Sequence, residues 1–141
     1  MTKDEKKTII KSIAAVAWAD GNLDPEEVKY VEDTCVNLGE LEKSEIDEIL
    51  NNTKSIEPVL DELKKFDIGL VGELLSFCYR MAHKDKVVSD SETAVIKRIA
   101  ALFWSDLYQD MIINWLKASY SAEDMYFELF VLPKVKIQKA S

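Results

Sequence analysis

A chain of 141 residues, 48% apolar and 31% charged with only 4 Gly and 3 Pro, is long enough for one domain with a hydrophobic core and too apolar to stay disordered. Its net charge of −8 repels phosphate backbones, which argues against nucleic acid and for cations or basic protein partners. No apolar run reaches the roughly 18 residues that span a bilayer, and the opening "MTKDEKKTII", followed by Lys11 and Ser12, does not make a signal peptide; a cytoplasmic chain without a transmembrane segment is expected.

In chain order, the apolar spacing is helical nearly throughout. Ile9, Ile10, Ile13, Val16 and Ala17 form a first stripe, and Val28, Val31, Cys35 and Leu38 a second, with Gly39 as its C-terminal cap. "KSEIDEILNN" predicts a short helix with Ile46, Ile49 and Leu50 on one side, and "EPVLDELKK" another that starts at its proline. Asp67 can cap a longer helix bearing Leu70, Leu74, Phe77, Cys78 and Met81. "SDSETAVIKRIAALF", "DLYQDMIINWLKASY" and "SAEDMYFELFVL" complete the pattern, and nothing of useful length alternates with period two. The expectation is an all-α domain of about seven helices.

Two halves share one pattern. Asp20 and Asp85 lie 65 residues apart, as do Glu27 and Glu92, and in that register Val16 meets Met81, Leu23 meets Val88 and Val31 meets Ile96. The halves, about 8–39 and 73–104, predict two helix–turn–helix units packed about a pseudo-two-fold axis. C-terminal helices over about 106–132 and a basic tail over 133–141 would complete a single domain.

Acids concentrate in the first part: from Asp20 to Glu62 there are 14 Asp or Glu against three lysines, a local net of −11. The turn of the first half reads "ADGNLDPEE". One reading is structural: Asp24 with Glu27 and Ser89 with Glu92 as capping boxes, Pro25 at the first helical position, Gly21 in a left-handed turn. Asp20 and Asp85 fit it less well, because each continues an apolar stripe and would need a partner there: helix-start amides, a lysine or a metal. The other reading is a divalent cation site, Ca²⁺ or Mg²⁺, held by Asp20, Asp24, Glu27, Asp85 and Glu92, since oxygen-only donors suit hard cations. A regular EF-hand is excluded, because its first two ligand positions would fall on Val16 and Trp18, or on Met81 and His83.

"AWADGNLDPEE" and, more loosely, "AHKDKVVSDSE" resemble the repeated motif of the tellurite-resistance TerB family; the resemblance covers about residues 8 to 104. The second copy departs from it with Lys86 in place of glycine and Lys84 alongside. The resemblance implies an all-helical domain with paired hairpins, acidic turns proposed to bind a divalent cation, and a non-enzymatic part in stress-response complexes near the inner face of the membrane.

Catalysis is not indicated. His83 is the single histidine and reads as a helix-end residue, no Ser or Cys sits in a nucleophile motif, and no glycine-rich phosphate loop occurs. Cys35 and Cys78, both on apolar faces, read as reduced core thiols. The expected function is therefore that of a protein–protein adaptor, with or without a cation; the alternative is a purely structural helical domain. Tyr126, Phe127 and Phe130 in the C-terminal segment read either as part of the domain's own core or as a docking surface for a partner helix or an anionic membrane.

Overall fold

The helix that carries Ile9, Ile10 and Ile13 is enclosed on nearly every side. In the computed structural model, which describes residues 1–21, 23–82 and 89–117, it runs over Lys3–Ala17 (α1). It is followed by α2 (Pro25–Leu38), α3 (Lys43–Asn52), α4 (Leu60–Leu63), α5 (Ile68–Ala82), α6 (Asp90–Ala100) and α7 (Asp106–Lys117). The fold is all-α, with seven α-helices and no strand among the described residues.

From Thr8 to Ala17 only Lys11 of α1 escapes burial. The helix packs against α2, α3, α5 and α6, which close around it and touch one another. Its two buried hydroxyls are satisfied within the helix: Thr8 Oγ1 donates to the Asp4 carbonyl at 3.0 Å and Ser12 Oγ to the Thr8 carbonyl at 2.8 Å. Burying Ile9, Ile10, Ile13 and Val16 at roughly 1.5–3 kcal/mol each contributes as much as the whole net stability of an ordinary domain. The docking of α1 therefore decides whether the chain folds.

The exposed side of α1 is basic and meets the acidic middle of the chain. Lys6 pairs with Glu40 at 3.1 Å, Lys3 and Lys7 with Glu45 at 3.5 Å, and Lys11 with Glu62 at 3.3 Å. Further along, Arg98 of α6 reaches both oxygens of Glu57. The Glu42 backbone N–H holds the Glu45 carboxyl below its usual range, with Lys3 and Lys7 adding to the effect. Exposed pairs of this kind contribute about 1 kcal/mol at most, so they orient α1 on its neighbours rather than hold it there.

The remaining elements follow their caps. Thr2 and Glu5 form a capping box at the start of α1, and Asp67 accepts from the Leu70 N–H at 2.8 Å to start α5. Val71, Leu74, Leu75 and Cys78 of α5 are buried, and the Tyr30 hydroxyl ties α2 to α5 by donating to the Phe77 carbonyl at 3.2 Å. Gly39 ends α2 at φ 75°, but with ψ 173° rather than a left-handed helical value, and Glu40 follows at φ 67°.

One helix is shorter than the sequence predicts. Pro58 lies in a 3-10 turn over Glu57–Val59, and α4 is a single turn. The backbone then tightens into bonds from Lys65 to Glu62 and from Phe66 to Leu63, which swing Phe66 into the core before Asp67 opens α5. The segment 121–133, its Tyr126, Phe127 and Phe130, and the basic tail 133–141 lie outside the described residues.

Truncating Ile13 to Ala should lower unfolding stability by about 2–5 kcal/mol. Val36→Ala, at a side chain 72% exposed, should stay within about 0.5 kcal/mol. Urea unfolding of the two variants checks this, and comparable losses would contradict the central placement of α1.

Candidate functional site

The first acidic turn begins where α1 changes its winding. After Ala17 the chain enters a 3-10 turn over Trp18–Asp20, closed by Gly21 at φ 83°, whose N–H donates to the Trp18 carbonyl at 2.8 Å. A 3-10 turn advances about 120° per residue against about 100° in an α-helix, so the apolar stripe is not continued. Asp20 consequently stands exposed, which corrects the expectation that it ends the stripe facing the core.

Asp20 nonetheless has a partner far along the chain. Its Oδ1 accepts from Ser89 Oγ at 3.0 Å. The same Ser89 oxygen accepts from the Glu92 N–H at 3.1 Å, while Glu92 Oε1 accepts from the Ser89 N–H at 3.2 Å. The predicted capping box at α6 is thus present, and its hydroxyl serves as donor and acceptor at once. This group hydrogen-bonds the turn after α1 to the start of α6, which also pack against each other. The positive end of the α6 dipole acts on the Asp20 carboxylate through it.

Asp24 caps α2, though not through the amide of Glu27. Pro25 stands at the first helical position, and the Glu26 N–H, the second of the helix, donates to Asp24 Oδ1 at 2.7 Å. Glu27 and Glu92, in the first turns of α2 and α6, are nearly buried at 9% and 7% exposure. Asp85, with His83, Lys84 and Lys86, lies outside the described residues. Of the five predicted ligands, the structure links Asp20 to the Ser89–Glu92 cap and places Asp24 and Glu27 at the start of α2. Among the described residues no group of three or more His, Cys, Asp or Glu is arranged to hold a metal ion.

Trp18, which sequence reasoning met only as a residue unable to coordinate calcium, has a positioning role. Its Nε1 donates to the Leu50 carbonyl in the last turn of α3 at 2.7 Å, and the Lys54 ammonium lies 4.9 Å from the ring centroid. The sequence signal was a tryptophan between alanines where an apolar stripe ends; the partner could not be read from it.

Both cysteines are buried free thiols. Burial pushes each up to about 12, with the nearby Glu32 charge adding to the effect at Cys35. At neutral pH neither supplies a thiolate nucleophile. The surface recesses are open and of mixed charge, such as one of about 400 Å³ lined by Lys7, Lys11, Glu62 and Phe66. No helix of the described residues is long and apolar enough to cross a membrane. Comparison of the chain with family models, with curated proteins and with solved structures finds no match.

Two outcomes follow from this geometry. Ser89→Ala should cost about 1–2 kcal/mol as a lost cap, and a double-mutant cycle with Asp20→Ala should show coupling of about 0.5 kcal/mol or more, whereas strict additivity would deny the cross-link any energetic weight. Cys35 and Cys78 should react with Ellman's reagent at pH 8 only as the protein unfolds; rapid native-state labelling would contradict their burial.

Proposed function

We propose that the protein is a non-enzymatic binding module, TerB-like in its hairpins and turns, that presents a fixed acidic face to a basic protein partner within a stress-response complex. Its place is the cytoplasm, peripheral to the inner face of the membrane. The hydrogen bond from Ser89 to Asp20 carries this reading: it fastens the first turn to the start of α6 and so holds exposed Asp20 in place near exposed Asp90. Asp24 and exposed Glu26 extend the same turn. A charge held in place binds a partner at a smaller entropic cost than one on a loose loop. The buried, protonated thiols and the open recesses favour a surface that binds over a pocket that reacts.

A second reading adds a divalent cation, Ca²⁺ or Mg²⁺, held by Asp20, Asp24, Glu27, Asp85 and Glu92. The near-burial of Glu27 and Glu92 in two helix first turns favours it, as does an all-oxygen donor set. The described residues do not form such a site by themselves, so it requires Asp85 to join them.

Two measurements test these readings. Co-purification from source-cell extract should recover a basic partner that is lost with Glu26→Gln/Asp90→Asn, or in roughly 0.5 M salt, where exposed charges are screened within a few ångströms. A partner held equally by the neutralised variant would sink the acidic-face reading. Thermal unfolding in EDTA against millimolar Ca²⁺, Mg²⁺, Mn²⁺ and Zn²⁺ tests the cation. At 100 times its dissociation constant a cation adds about 2.7 kcal/mol, a rise on the order of 5–10 °C at this size that Asp20→Asn should abolish. A flat response to every metal leaves the turns as caps.

A further inference from the structure

We draw no further inference here: the strongest candidate, the row of open recesses that share Lys11 along the outward strip of α1, flanked by α3 and α4, carries nothing, because Lys7 and Lys11 already pair there with Glu45 and Glu62 and nothing in the structure shows what covers it.

Discussion

A helix buried along all of its last ten residues but Lys11 has to be surrounded, and the rest of the structure follows from that requirement. From Ile9 to Ala17 α1 offers water little except Lys11, and four other helices close over it. Helices around a central rod must each turn an apolar stripe inward, which is why Val31 and Cys35, Ile46 and Leu50, Leu74 and Cys78, and Ile96 and Ile99 are the buried positions of their elements. The basic N-terminal half of α1 then lies against the acidic middle of the chain. Its ion pairs with Glu40, Glu45 and Glu62 reinforce a rotation that the buried isoleucines and the outward lysines already set.

The end of that rod sets the geometry of the first acidic turn. Because the winding tightens at Trp18, the last apolar side chain is pinned under the carbonyl of Leu50 while the next acid, Asp20, is turned out to water. The turn and its cap therefore join the core to the surface. Trp18 anchors the turn to α3, Gly21 reverses the chain with a positive φ, and Asp20 reaches the cap of α6. A change of pitch over one short turn converts an interior helix into a positioned carboxylate.

What could be read in the sequence was local. Asp67 before α5, Ser89 with Glu92 at α6, and Gly21 at positive φ are encoded by side chains acting within four residues of themselves, and each behaves as expected. Helix spacing was legible for the same reason. Failures came where a neighbour in sequence or a partner in space overrode the pattern. Asp24 accepts from the second amide of α2 rather than the third, and α4 gives way after one turn to tighter bonds that bring Phe66 into the core. Asp20 left its stripe because α1 did not continue at α-helical pitch. The bonds from Ser89 to Asp20 and from Trp18 to Leu50 span 69 and 32 residues, and no local pattern announces them.

The acidic stretch from Asp20 to Glu62 is not electrically uniform once folded. Glu40, Glu45, Glu57 and Glu62 face lysine or arginine, and an opposite charge cancels much of the field that a carboxylate sends into solvent. Asp20 and Asp24 instead accept from a hydroxyl and an amide. Such dipoles stabilise a carboxylate and fix its direction, but they leave its net charge in place. The negative charge is thereby damped at Glu40, Glu45, Glu57 and Glu62 and kept at the turn. The position of the exposed carboxylates at this turn is thus a consequence of how the core helix ends.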